Sequence, residues 1–231
     1  MARIDKSALT RLEIVTEASK QFLEKGFSNT TVSSIAKELE MSTGNLTFHY
    51  PTKEHLLCEL VDTLCTFHWH RMENEANEGI SSVLAVCLQL TAMASACDDD
   101  KIVKDFLISA YSSPICLSVI RKNDAIRSKE VFKSYRPDWT DEQFAEAELL
   151  VSGIEYATMM TAGEQIPLET RIEGAMDVIL GIYGVPEEIR AVKVKKVFAM
   201  DYRTIGTSAI AEFKDYVKST NDQAFRDLLR R

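Results

Sequence analysis

Glycine and proline are scarce in this chain: 9 and 5 among 231 residues. Turns are therefore few, and long helices are favoured over many short strands. No stretch approaches the roughly 18 uninterrupted apolar residues of a membrane span. The opening residues Met1-Ala2-Arg3-Ile4-Asp5-Lys6 hold no apolar signal core, and the expectation is a cytoplasmic protein with no membrane partner. Cys58, Cys65, Cys87, Cys97 and Cys116 form no CxxC pair, which leaves ribbon-type zinc and dithiol redox readings without support. Reduced, mostly buried thiols are expected instead. GxSxG, HExxH, a P-loop and a strand-linked GxGxxG are all missing, so no local catalytic signature points to an enzyme and no cofactor is implied.

What is present is the composition of an ordinary folded protein, 45% hydrophobic and 27% charged. The net charge of −8 argues against a nonspecific nucleic-acid coat. Its distribution says more. Residues 1–55 carry seven basic and seven acidic side chains, and the remaining residues carry 20 basic and 28 acidic ones. A neutral head on an acidic body is compatible with DNA binding through one small face.

The head reads as short helices. Ser7 to Lys25 places Ile14, Val15, Ala18 and Phe22 on one face, with Gly26 as the stop and Phe27 folding back. Thr31 caps a helix from Val32 to Leu39, whose inner face is Val32, Ile35, Ala36 and Leu39. After a break at Glu40-Met41, Ser42 or Thr43 caps a third helix reaching His49 or Tyr50. Leu46, and either Phe48 or Tyr50, face inward. Pro51 ends it, and Thr52 caps a fourth helix from Lys53 to about Gly79. Two short helices about four residues apart have helix-turn-helix spacing. Helices are expected over 81–97, 100–112, 114–121, 124–135, 140–163, 168–183, 187–202 and 203–219. The boundary between head and body is expected near Gly79, with the fourth helix bridging them.

The run Thr30-Thr31-Val32-Ser33-Ser34-Ile35-Ala36-Lys37-Glu38-Leu39-Glu40-Met41-Ser42-Thr43-Gly44-Asn45-Leu46-Thr47-Phe48-His49-Tyr50-Pro51-Thr52-Lys53-Glu54 resembles the DNA-binding head of the tetracycline-repressor (TetR) family. That pattern is roughly T-T-V-x-x-I-A, a turn, then V-S-x-G-x-L-Y-x-H/Y-F-x-S/N-K-E. Upstream, Phe22, Lys25, Gly26 and Phe27 match F-x-x-K-G-F/Y. The resemblance covers about residues 10–60. It implies an all-α fold, with a three-helix DNA-binding head over residues 1–55 and a helical ligand-binding and dimerisation body over 56–231. It implies a homodimeric transcriptional regulator, mostly a repressor, which binds a palindromic double-stranded operator and is released by a small-molecule inducer. Nothing in the residues decides the sign of control. The same fold turned to a protein partner, with weak or no operator binding, is the alternative.

On this reading Thr43 and Asn45 are short polar side chains suited to base or phosphate contact, and an Asn can bond an adenine edge with two hydrogen bonds. Gly44 lets the backbone approach DNA. Ser42, Thr47 and His49 complete the third helix, Thr31 and Ser33 sit at the start of the second, and Lys53 meets a phosphate at the start of the fourth. Tyr50 stands where the family has Phe and reads as packing. Two departures stand out. Glu40 replaces the usual turn Gly, costing on the order of 1 kcal/mol if the turn needs a positive φ. Thr47 replaces the usual Tyr, and Thr43 is not Lys or Arg, which weakens the electrostatic part of binding.

In the body, Phe67, Trp69, Met93, Phe106, Tyr111, Tyr156 and Met159, with Met72 and Met160, are adaptable side chains for an inducer cavity, and each is equally a core residue. Leu149, Leu150, Gly153, Ile154, Ala157 and Thr158 in the 140–163 helix, with Ala175, Met176, Ile179 and Ile182 in the 168–183 helix, are candidates for a two-fold interface or for internal packing. His68-Trp69-His70 does not suit a metal, because residues two apart on a helix diverge. His55, Cys58 and Asp62 share a face without a second ligand cluster, so no metal is expected. Asp98-Asp99-Asp100 reads as a loop and helix cap.

Overall fold

The computed structural model describes residues 6–78, 82–161 and 165–230, with side chains to residue 228. The expected boundary at Gly79 and helix start at Ser81 lie outside the described residues, as do Met1–Asp5 and the end of the expected 140–163 helix. Among the described residues there are eleven helices and no strand. They are α1 (Lys6–Lys25), α2 (Val32–Glu38), α3 (Thr43–His49), α4 (Lys53–Ala76), α5 (Val83–Asp99), α6 (Lys101–Ser112), α7 (Pro114–Phe132), α8 (Asp141–Met160), α9 (Leu168–Ile182), α10 (Glu187–Phe198) and α11 (Tyr202–Arg230).

α1 ends as its sequence dictates. The Gly26 amide donates to Phe22 O at 3.1 Å, and Gly26 takes φ +87°, a conformation that any side chain would strain. Phe27 then lies back on Phe22, ring centroids 5.3 Å apart. The charged triplet is split by role. Asp100 caps α6 by accepting from the Ile102 and Val103 amides. Asp98 pairs with Arg171 at 2.7 Å and Asp99 with Arg203 at 3.0 Å.

Two expected breaks are absent. The 114–121 and 124–135 segments are one helix, α7, that passes through Asn123 and Asp124. Asn123 would favour a turn, but its Nδ2 donates to Val119 O and to Asp62 Oδ1, both at 3.0 Å, so it is satisfied within the helix. Near the C-terminus, α10 stops at Phe198 rather than 202, and α11 runs to Arg230 rather than 219. Ser219 is no stop signal here: its Oγ donates to Tyr216 O in the turn behind it.

Two buried clusters organise the packing. One joins Ile14, Phe22, Ile35, Leu46 and Leu56 of the first four helices to Phe106 and Leu107 of α6 and Phe213 of α11. The other surrounds α5, where Leu84 and Leu88 meet Phe144 of α8 and Ile179 and Tyr183 of α9 and the turn after it. The head's core therefore continues into the upper body. On α8, Leu149 and Leu150 are 53% and 63% exposed, and Gly153 and Ala157 lie on the same open face. Thr158, Ala175, Met176 and Ile179, grouped with them as interface candidates, face inward, because their helical phase places them against the core. Ile154 and Ile182 are half-buried. Among the described residues, no single helix is long and apolar enough to cross a membrane.

Candidate nucleic-acid interface and interior cavities

α2 and α3 are short, so their ends matter more than their propensities. Thr31 Oγ1 accepts from the Ser34 amide at 3.0 Å, and Ser34 Oγ accepts from the Thr31 amide at 3.1 Å. This reciprocal cap ties to α1, since Ser34 Oγ also lies 2.8 Å from Gln21 Oε1. Ser42, rather than Thr43, caps α3 by accepting from the Asn45 amide at 3.1 Å. Between the helices, Glu40 takes φ +52°. The turn does need the left-handed region, and a glutamate occupies it at a cost on the order of 1 kcal/mol.

Leu46 is fully buried and fixes the roll of α3. The rest of that helix faces outward: Ser42, Thr43, Gly44, Asn45 and Thr47 are exposed and His49 is half-exposed. Thr31 and Ser33 are exposed at the start of α2. Of the two candidates for the inner face, Tyr50 is buried beneath Arg11, whose guanidinium carbon lies 4.8 Å from the ring centroid. Phe48 is 81% exposed. Sequence reasoning left Phe48 undecided, although a residue two beyond the buried Leu46 must point to the far side. Gly44 is not demanded from inside, because a Cβ there would meet only Ser42 Oγ at 3.9 Å. Thr47 has bent its hydroxyl back to Thr43 O at 3.0 Å, so its proton is already engaged.

Lys53 sits differently from its expected place on a phosphate. Its Nζ donates to Phe27 O and Thr30 O, both at 2.8 Å, and lies 3.9 Å from the Phe27 ring centroid. Burial pulls its pKa below the ordinary lysine value, against the raising effect of Glu54 and Asp105. Its first duty is to hold the α1–α2 turn on α4. Thr52 occupies the cap position of α4, but its Oγ1 pairs with His55 Nδ1 at 2.9 Å and bonds none of the helix amides. The same turn is held from below: Asp105 of α6 accepts from the Ser28 amide at 2.9 Å and from Ser28 Oγ. A side chain at Gly26 would stand 2.6 Å from Asp105 Oδ2.

Two interior cavities adjoin each other in the body. The first, a narrow space of about 40 Å³, lies among α4, α5, α6, α7 and α11. Its wall includes Val61, Leu64, Leu107 and Ile210, with His68, Gln89 and Asp124 at the polar end. The second, about 30 Å³, shares Gln89 and Asp124 and adds Arg127, Glu148 and Glu155. Of the expected cavity residues, Met93 and Tyr111 line the first and Trp69 the second. Phe67, Phe106, Tyr156 and Met159 line neither: Phe106 and Met159 are packed solid, Tyr156 is half-buried against the same cluster, and Phe67 lies in tilted contact with the rings of Phe213 and Tyr216. Residue type alone picked them, while the spacing of the helices decides where space remains.

The polar groups here have unusual acidities. Burial, then the neighbouring Glu148, pushes Asp124 up to about 8. Burial and the nearby acids Asp124 and Glu148 push Glu155 well above the carboxylate range. Burial, then Arg127 and Arg71, push His68 down to about 4, which leaves it neutral. His68 and His70 point apart: one is buried and the other exposed, 3.7 Å from Glu73. No group of three or more His, Cys, Asp or Glu is arranged for a metal among the described residues. All five cysteines are free, with Cys87, Cys97 and Cys116 buried.

Residues 14–60 match the sequence profile of the bacterial regulatory proteins of the tetR family. A curated relative, the HTH-type transcriptional regulator YuxN of Bacillus subtilis (strain 168), is 34% identical over 80 residues. That match covers 35% of this chain and 28% of the relative. Among solved structures, the chain is similar to FadR of Thermus thermophilus, a TetR-family transcriptional repressor crystallised with lauroyl-CoA. The TM-score is 0.56 and the identity 18%, over 74% of this chain and 93% of that one, a likeness of fold.

Proposed function

We propose that the chain, whose N-terminal head matches the tetR family, is a TetR-family transcriptional regulator that binds a palindromic operator as a homodimer and is released by a small molecule held in the body. The observation that carries the reading is the outward face of α3, where Thr43, Gly44, Asn45 and Thr47 stand exposed around a buried Leu46. A short helix capped by Ser42 presents these residues and its first amides to a major groove. Ser33 and Thr31 lie beside it for phosphates, although Thr31 is also the cap of α2. Residues 1–55 serve as the DNA-binding unit and 56–231 as the ligand and dimer unit. The exposed face of Leu149, Leu150, Gly153 and Ala157 supplies the two-fold contact with α9 beside it. Two such heads reach successive major grooves about 34 Å apart.

The route from ligand to operator is short. α4 lines the first cavity with Val61, Leu64 and His68 and begins at Lys53 beneath the head. α6 lines it with Leu107, Ala110 and Tyr111 and holds Ser28 through Asp105. A ligand that favours one position of these two helices moves the head by its difference in affinity for the two states. Repression is the sign we propose, following the habit of the family.

Selection of bound duplexes from a random DNA library tests this. An enriched inverted repeat is expected, with binding that falls steeply as salt rises. A second reading, a module for a protein partner, draws on the exposed Phe48, the charge-neutral head and the internal engagement of Lys53. It expects no enriched repeat and little salt dependence from a folded dimer.

A further inference from the structure

The chamber in the body is part of the function proposed above, and its wall speaks to the chemistry of what enters. Three side chains at its polar end, His68, Gln89 and Asp124, have no hydrogen bond and no ion pair with any described residue. His68 is only 6% exposed, Gln89 and Asp124 are half-buried, and all three open onto the space. Buried polar groups in folded proteins almost always find partners. Here the missing partner belongs to whatever fills the cavity.

Acids crowd this end. Behind Asp124 stand two more on α8, Glu148 buried and Glu155 half-buried. Glu155 accepts from Tyr111 Oη at 2.9 Å, and Glu148 accepts from Ser128 Oγ at 2.6 Å and from Tyr183 Oη. Two arginines stand near enough to act on these acids but form no ion pair with them. Arg121 Nε donates to Ser152 Oγ at 2.8 Å, and Arg127 lies 5.4 Å from the Trp69 ring centroid with its Nη1 unpartnered and no ion pair to Asp124. All three carboxyls are pushed toward their protonated forms, and the one without a hydrogen bond opens into both cavities.

We infer that the chamber takes an organic cation, with a protonated amine set against Asp124 and an apolar body lying along Val61, Leu64, Met93 and Ile210. The inference rests on the inducer-chamber reading. An amine supplies the counter-charge that lets Asp124 release its proton to solvent and stand as a carboxylate, and it donates the hydrogen bonds that Asp124 and Gln89 Oε1 leave open. His68, held neutral, adds an acceptor nitrogen rather than a competing charge. The narrow apolar wall admits an alkyl chain or a small ring and excludes a broad hydrated head.

One hydrocarbon chain with three heads tests it. Octylammonium, octanol and octanoate are titrated calorimetrically into the full chain at neutral pH and physiological salt, and into Asp124→Asn. Octylammonium is expected to bind at least about tenfold more tightly than octanoate, and Asp124→Asn to weaken the ammonium at least about tenfold while octanol stays within about twofold. Unchanged octanol binding also reports that the variant is folded. Tighter octanoate would give the polar end to Arg127 and overturn the inference. So would ammonium binding indifferent to Asp124→Asn, the mark of adsorption on an acidic surface. Octanol bound with no preference for the ammonium would leave the chamber and remove its cationic ligand. No binding by any of the three would remove both.

Discussion

The head and the interior of the body use polar residues in opposite ways. In the head, Thr31, Ser34, Ser42 and Lys53 each find a near partner, and together they close the ends of short helices that would not stand alone. What remains open faces outward. In the body, His68, Gln89 and Asp124 are enclosed and unmatched, and Glu148 and Glu155 crowd the same region. The head is complete as a protein and incomplete only toward solvent. The body is incomplete within itself. On the proposed function that arrangement suits a sensor, because a fully satisfied interior gives a ligand nothing to improve.

The comparison breaks most readily at the layer the two regions share. Phe213 is fully buried in the cluster that joins α1, α4, α6 and α11. Phe213→Ala should cost about 3–5 kcal/mol in urea unfolding. Head and body should still unfold in one transition, and a head that melts separately would show two independent units instead.

Next comes the buried acid. Asp124 titrates at about 8 in the folded chain, far above an exposed aspartate. Between about pH 4 and pH 8 the folded chain keeps this proton and the unfolded chain has lost it. Rising pH therefore favours unfolding, by up to about 1.4 kcal/mol per pH unit for this one group. His68 works in the other direction between about pH 6.5 and 4, where the unfolded chain takes up the proton that the buried ring refuses. The difference between wild type and Asp124→Asn isolates the first effect. The variant should gain on the wild type as pH rises from 4 to 8, and parallel stability curves would refute the buried-acid account.

Smaller effects sharpen the head. Ser42→Ala should cost about 1 kcal/mol through loss of the α3 cap, read from the denaturation midpoint. Gly44→Ala should separate folding from function. The protein has room for the methyl group, and an alanine inside a helix gains up to about 1 kcal/mol over glycine. Operator affinity should nonetheless fall at least about tenfold, measured by fluorescence anisotropy, if DNA backbone comes as close as the outward face suggests. A more stable variant with unchanged affinity would move the interface away from the start of α3.

The head was legible because its signals are local. Gly26, Thr31, Ser42 and Pro51 punctuate the helices within a few residues of where they act, and the left-handed residue at Glu40 sits where a glycine was missed. Lys53 escaped that logic: its acceptors, Phe27 O and Thr30 O, lie more than twenty residues away in sequence. The cavity escaped it further. Aromatic and Met side chains were chosen for their type, yet the wall is set by five helices meeting, and Phe106 and Met159 fill space rather than border it. One signal was available. Glu148 and Glu155 are two turns apart on the α8 face that also carries Phe144, Val151 and Met159. Charge at that phase of an otherwise buried stripe marks an interior polar site.

α4 runs unbroken from Lys53 to Ala76. From His68, at the cavity, to Lys53, under the head, the helix spans about 22 Å, so a tilt of about 5° displaces its far end by about 2 Å. In a dimer the two ends move in opposite senses and the displacement doubles, to about a base-pair step. On the proposed function the helix is a lever with its short arm in the chamber, and its stiffness sets the gain.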